Sequence, residues 1–319
     1  MQQFSIAIHG GAGTILKKDL TPDLEAAYLK GLDEALIAGY TILERGGSSL
    51  DAITAAVVSL EDCILFNAGR GSVFTKTGTH EMDASIMNGN TMQAGAVTCV
   101  QHVKNPVLLA KMIMEKSEHV MLSGEGALQF AKQNKLQIEE EAYFFSQFRY
   151  EQWQLVKNED TVALDHNLQL SAFAEASADK EKKFGTVGAV ACDGFGNIAA
   201  ATSTGGMTNK NFNRIGDTPI IGAGTYANNN TCAISCTGHG ELFIKAVAAY
   251  DVSCLMEYKG CSLQQAMEIV TMDKLVKING EGGMIGVDAK GNTAMVFNSV
   301  GMYRGMQKST GEKTIAIYQ

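Results

Sequence analysis

Apolar positions split the chain into two halves of different rhythm. Residues 4–8 form a short apolar strand, and the run His9-Gly10-Gly11-Ala12-Gly13 behind it reads as a tight turn. Thr21 caps and Pro22 opens a helix that runs to about Arg45, where Gly46-Gly47 stops it. Ser48-Ser49 caps a second helix, whose Ala52, Ala55, Ala56 and Val58 suit close packing. Residues 60–71 read as a loop and 95–100 as a strand. Asn105-Pro106 begins a third helix, and two more fill 124–135 and 145–158.

From residue 187 onward strands and hairpins dominate. Strands 187–192 and 198–202 flank the turn 193–197, and strands 220–226 and 231–235 flank 227–230. Helices are predicted over 239–258 and 262–277. A further hairpin joins 284–288 to 293–297, and 314–317 is a last strand. The strands are partly alternating and partly continuous in apolar character, and continuous runs mean burial on both faces. The expected fold is therefore α/β, with helices covering both sides of a sheet stack in four layers, α-β-β-α. Residues 159–184 have no side to bury, so a mobile linker is expected over about 159–185.

At 319 residues the chain is long enough for one large core. The net charge of −8 lies in the first 185 residues, which hold 16 basic and 24 acidic side chains; residues 186–319 hold 10 of each. An acidic chain without a basic stripe argues against a nucleic-acid partner. Neither a cationic amphipathic helix nor an apolar run of ~18 residues suggests a membrane. The start, Met-Gln-Gln-Phe-Ser-Ile, has no signal-peptide pattern, so the cytoplasm is expected. Seven cysteines lie mostly in apolar runs, and no second pair or histidine cluster turns Cys232 and Cys236 into a zinc site. They read as small buried hydrophobes. The glycines at 10, 11 and 13 lack both the dinucleotide spacing and the phosphate-loop lysine, so a nucleotide site is not expected.

The chemistry gathers around Gly185-Thr186-Val187-Gly188, where the polar run meets a strand. Read blandly, these residues start a β-strand. Read chemically, a threonine after a glycine can cut its own peptide bond through an N-to-O acyl shift. Its freed α-amine, with a reference pKa near ~8, then serves as base for its own hydroxyl. Hairpin pairing of the following strand brings Thr204 to the same sheet end. A helix start at Gly238 offers free N–H groups for an oxyanion. Arg214 and Asp217 match the two charges of an amino-acid backbone, although a local surface ion pair accounts for them equally simply. His9 and His239 read as structural.

Taken together, IHGGAG, LEDCILFNAGRGSVF, GTVGAVA, ATSTGGMTNK, NRIGDTP, GAGTYANN, SCTGHGE and GMYRG resemble the plant-type asparaginases, or isoaspartyl peptidases, of the N-terminal-nucleophile hydrolases. The resemblance implies a four-layer αββα domain over 1–319, cut between Gly185 and Thr186 into fragments 1–185 and 186–319 that assemble as a dimer of pairs. It implies hydrolysis of L-asparagine and β-aspartyl peptides through a β-aspartyl ester, with no cofactor for the chemistry. In it Thr186 is the nucleophile, Thr204 tunes its hydroxyl, and Asn67 helps to position it. Thr237 and Gly238 form the oxyanion hole. Arg214 grips the substrate α-carboxylate, and Asp217 and the Gly240 carbonyl take the α-ammonium. A structural sodium ion is implied on the main-chain carbonyls of Leu60, Glu61, Cys63, Phe66, Ala68 and Arg70. Asn213, Thr218, His239 and Arg70 depart from patterns common in the family and leave substrate preference open. The alternatives are a glycosylasparaginase, which usually carries a secretory signal, and a non-enzymatic α/β protein binding a small molecule at the 9–13 run.

Overall fold

The computed structural model describes residues 3–158 and 185–319, so the predicted linker, apart from Gly185, lies outside the described residues. In the first stretch the elements are β1 (Ser5–Gly13), α1 (Pro22–Glu44), α2 (Ser49–Asp62), β2 (Met82–Asn88), β3 (Ala94–Val100) and α3 (Pro106–Lys116). There follow β4 (Met121–Ser123), α4 (Gly124–Gln133), α5 (Glu141–Phe144) and α6 (Gln147–Val156). The second stretch holds β5 (Val187–Cys192), β6 (Ile198–Thr204), β7 (Thr225–Ala227), β8 (Cys232–Gly238), α7 (Gly240–Ala246) and α8 (Ala248–Lys259). It ends with α9 (Leu263–Glu268), α10 (Leu275–Lys277), β9 (Gly282–Asp288), β10 (Thr293–Phe297), β11 (Gly301–Lys308) and β12 (Lys313–Tyr318).

The strands form two sheets. One has eight strands in the order β12-β11-β1-β5-β6-β2-β3-β4; the other has four, β10-β9-β8-β7. Pairing is antiparallel except between β3 and β4. Helices α1, α2 and α3 cover the outer face of the large sheet, α8 and α9 cover the small one, and β1, β5 and β6 face β8 and β9 across the middle. This is the αββα sandwich.

Residue alternation shows why the large sheet is apolar on both faces. On β1, Ile6 and Ile8 enter the core under α1 and α2, while Ala7 enters the core between the sheets. On β5, Val187, Ala189 and Ala191 face the helices, and Val190 and Cys192 face the other sheet. The same inter-sheet face turns polar along its length. Ile198 and Ala200 on β6 give way to Thr202 and Thr204, and Cys192 and Val190 on β5 give way to Gly188 and Thr186. The polar end is where the site forms.

The caps behave as their chemistry dictates. Thr21 Oγ1 accepts from Leu24 N at 3.3 Å and Ser48 Oγ from Asp51 N at 3.1 Å. Four expectations change. The glycine run 9–13 is not a turn but the end of β1, fully buried and bulged between His9 and Gly11. Its backbone groups are held by strands on both sides, which no local signal announces. That burial also removes it as a small-molecule loop. The helix expected over 239–258 breaks at Val247, which is left-handed (φ 49°). There Ala249 N and Tyr250 N bond to the carbonyls of Ala223 and Gly222. The helix expected over 262–277 carries a π turn at Ile269–Lys274. Of the strand expected over 220–226, only Thr225–Ala227 remains, because residues 217–224 close two turns. Strands β2, β4 and β11 are additional.

All seven cysteines are free thiols; Cys99, Cys192, Cys232 and Cys236 are buried. No helix among the described residues is long and apolar enough to cross a membrane.

Candidate active site

The five-residue turn after β5 sets the register of the β5–β6 hairpin, with Val187 opposite Ser203. That places Thr186 and Thr204 beside each other at the polar sheet end. Thr186 Oγ1 donates to Thr204 Oγ1 at 3.2 Å. Thr204 Oγ1 donates in turn to the Gly185 carbonyl at 3.0 Å and accepts from Gly206 N at 3.0 Å. The Gly185 carbonyl, part of the bond expected to break, has a second donor in Asn67 Nδ2 at 3.1 Å. Asn67 is fixed on its other sides: Nδ2 also donates to Gly206 O at 2.8 Å, and Oδ1 accepts from Val73 N at 3.1 Å. Two neutral donors therefore point at one carbonyl, and one of them also accepts from the Thr186 hydroxyl.

These residues open onto a small cavity of about 20 Å³, room for about one water. Its wall includes Gly185, Thr186, Thr204, Arg214, Asp217, Gly238 and Gly240. The structure thus gathers most of the expected residues in one place. Two are not in the wall: Asn67, which reaches it through Gly185, and Thr237. Thr237 is fully buried on β8, its hydroxyl accepts from Ala12 N at 3.3 Å, and its neighbour Gly238 forms the wall. The expected helix start at Gly238 is also displaced: Gly238 ends β8, and α7 begins at Gly240 behind His239. The backbone must first leave the β8–β9 ladder, where Gly238 faces Gly282, before it can coil.

Arg214 and Asp217 both line the cavity, yet they are not the local ion pair of the bland reading. Arg214 Nε and Nη2 donate to Glu241 Oε1 and Oε2, both at 2.8 Å. Burial pushes the Asp217 carboxyl up to about 7 against the pull of Arg214, and its Oδ2 has no hydrogen-bond partner. Burial alone would raise Glu241 too, but the Arg214 fork holds it below the usual carboxylate range. Sequence reasoning missed Glu241, since its partner lies 27 residues away in another loop.

His9 is buried, and that burial pushes its pKa down to about 3, so the ring is neutral. Nδ1 lies 3.0 Å from the Thr186 carbonyl. A carbonyl only accepts, so Nδ1 carries the proton and Nε2 accepts from Ser235 Oγ at 2.9 Å. From Ser235 a file of hydroxyls leads past Thr202 (2.7 Å), Thr225 (2.5 Å) and Ser85 (2.7 Å) to the Thr218 carbonyl (2.6 Å), its four protons serving four of the five contacts at a time. It links the Thr186 backbone to the segment next to Asp217. Gly188 makes room for it, because a Cβ there would overlap Ser235 Oγ and His9 Nε2.

In the loop between α2 and β2, carbonyls crowd over two glycines. A Cβ on Gly69 would lie 2.6 Å from Glu61 O, and one on Gly71 would meet Ile64 O at 2.7 Å and overlap Phe66 O. Two of these carbonyls, of Glu61 and Phe66, belong to the set that the family resemblance assigns to a cation. Among the described residues no group of three or more His, Cys, Asp or Glu could hold a metal.

A family model described as asparaginase matches residues 2–317. The chain is 50% identical over 319 residues, the whole of both proteins, to an isoaspartyl peptidase of Salmonella typhimurium. It is 49% identical over 314 residues to an isoaspartyl peptidase of Escherichia coli, covering 98% of this chain and 96% of that one. It is 42% identical over 308 residues to a plant-type L-asparaginase of Thermococcus kodakarensis, covering 95% and 96%. With a match that spans the fold and every element of the site, the chain belongs to the asparaginase family.

Proposed function

We propose that this protein is an amidohydrolase that cuts its own Gly185–Thr186 bond and then hydrolyses β-aspartyl peptides and L-asparagine with Thr186. The observation that carries the reading is the Thr186–Thr204–Gly185 hydrogen-bond file in the wall of a cavity that also holds Arg214 and Asp217. Relatives named isoaspartyl peptidase and plant-type L-asparaginase support it.

In self-cleavage Thr186 Oγ1 attacks the Gly185 carbonyl carbon. Its proton passes to Thr204 Oγ1, and the Thr204 proton passes to the Gly185 oxygen, along the two contacts already made. Asn67 Nδ2 polarises that carbonyl and steadies the negative charge that develops before the proton arrives. The tetrahedral adduct collapses by breaking the C–N bond, the nitrogen keeps the electron pair and takes a proton, and an ester remains. Water hydrolyses the ester, leaving a Gly185 carboxylate and a free Thr186 amine.

In turnover that amine takes the Thr186 hydroxyl proton as the oxygen attacks the substrate β-carbonyl. The Arg214 guanidinium meets the α-carboxylate. Asp217 and the Gly240 carbonyl meet the α-ammonium. Ammonia or an amine leaves with the proton, water cleaves the β-aspartyl ester, and L-aspartate departs. The oxyanion donors assigned by the family resemblance are Gly238, in the cavity wall, and Thr237 beside it on β8. A sodium ion on the carbonyls of Leu60, Glu61, Cys63, Phe66, Ala68 and Arg70 would brace the loop that carries Asn67. A dimer of cleaved pairs in the cytoplasm completes the reading.

Denaturing mass spectrometry of the aged protein tests the first step. Fragments of 185 and 134 residues support it, while an aged sample that hydrolyses asparagine as one uncut chain refutes it. Thr186→Ala stays whole and inactive.

A further inference from the structure

This inference rests on the reading of Arg214 as the contact for the substrate α-carboxylate. We infer that Glu241 is a positioning residue that holds Arg214 apart from Asp217, so that both remain available to the two opposite charges of one aspartyl substrate.

A guanidinium has five N–H groups. Glu241 takes Nε–H and one Nη2–H in a two-pronged grip, with both contacts at 2.8 Å. The remaining donors, two on Nη1 and one on Nη2, form the outer end of the fork. That end lies against two glycines of the cavity wall. A Cβ on Gly216 would sit 3.0 Å from Nη1, and one on Gly240 would sit 3.1 Å from Nη2. The same point on Gly240 lies 2.9 Å from Asp217 Oδ1. One point beside the Gly240 backbone thus lies about 3 Å from both Arg214 Nη2 and Asp217 Oδ1, so the two groups flank the same stretch of the cavity wall.

The arrangement is unstable without a third charge. A cation and a buried carboxylate so placed pair with each other, and a zwitterionic substrate would then have to break a buried ion pair to enter. Glu241 removes that competitor by neutralising Arg214 from its far edge. His239 Nε2, 3.3 Å from Glu241 Oε2, steadies the carboxylate on its outer side. The charged and titratable groups around the grip are Arg214, Asp217 and His239, with buried Asp83 in the field of Arg214 and buried Cys236 in that of Asp217. Burial and the Glu241 charge both keep Asp217 protonated more readily, and Oδ2 has no protein partner. Once ionised, that oxygen is an open acceptor for an incoming ammonium.

The test is a double-mutant cycle on the cleaved enzyme, with L-asparagine and β-Asp-Leu as substrates. For Glu241→Gln, KM should rise roughly tenfold while kcat stays within about threefold, because binding of the free charges is what suffers. Self-cleavage, which presents no α-carboxylate, should run to completion. In an Arg214→Ala background the same substitution should cost less than about twofold, because Glu241 acts through Arg214. Glu241→Asp, which keeps the charge but withdraws it by one methylene, should lie between wild type and Glu241→Gln. It serves as the reporter if the Gln variant does not fold. An unchanged KM in both variants, or an equal penalty with and without Arg214, overturns the inference. A wild-type enzyme inactive on both substrates refutes the underlying reading of the site instead.

Discussion

Replacing Asn67 with alanine separates the chemistry of self-cleavage from the fold. The side chain is 1% exposed and makes three hydrogen bonds, one of them to the carbonyl under attack. Removing one donor from a preorganised oxyanion site typically costs ~2.7–4 kcal/mol, or about 10²- to 10³-fold in rate. Thr204 remains as a second donor to Gly185 O, so cleavage should slow by that factor rather than stop. The stability cost is separate. Val73 N loses its acceptor, and an unsatisfied buried donor costs about 1–3 kcal/mol.

A time course by intact mass on freshly purified precursor gives the rate, and thermal melting gives the stability. Asn67→Asp is the paired control. It keeps an acceptor for Val73 N but sets a carboxylate oxygen against the carbonyls of Gly185 and Gly206. Only the protonated acid can donate there, so its cleavage should speed up as pH falls. If Asn67→Ala cuts at the wild-type rate while melting lower, Asn67 serves the fold and not the Gly185 carbonyl, and the cleavage geometry argued above is wrong.

Four further outcomes follow from the same geometry. Arg214→Ala should lose roughly ten- to a hundredfold in kcat/KM on L-asparagine, the cost of a charge-assisted bond of about 1.5–3 kcal/mol, yet still cleave itself. Alpha-linked Asp-Leu, whose α-carboxylate is consumed, should be inert in a leucine-release assay where β-Asp-Leu reacts. For Asp217 the folded carboxyl sits at about 7, above its ordinary 3.8, so its contribution is whole below about 3.8 and is lost as pH rises through 7. Asp217→Asn should therefore melt progressively higher than wild type between pH 4 and 8 while losing substrate; a pH-independent difference would contradict the buried acid. Wild-type kcat/KM should climb with pH through the same range, since the ammonium needs the carboxylate. Gly188→Ala should lower stability by about 1–3 kcal/mol through overpacking against Ser235 and His9, and an unchanged melting temperature would show that the sheets yield there.

What the sequence discloses about this site depends on the length scale of the interaction. The Thr186–Thr204 contact is legible because a five-residue turn and two apolar runs fix one hairpin register, and register alone decides which side chains meet. Strand β2 leaves a weaker local trace, since the five residues 89–93 that separate it from β3 include the turn formers Gly89 and Asn90. Other features have no local cause. The glycine run of β1 extends because β11 lies on one side and β5 on the other, so only the assembled sheet makes it a strand. Val247 turns left-handed because the next helix gives its first N–H groups to the carbonyls of Gly222 and Ala223, far back in the chain. Glu241 belongs with these. Its sequence neighbours advertise a nucleophile's oxyanion support, while its own partner arrives on a separate loop. The sequence motif names the two charges proposed to meet the substrate. The charge that keeps those two from consuming each other is visible only in three dimensions, because its task is defined by their separation.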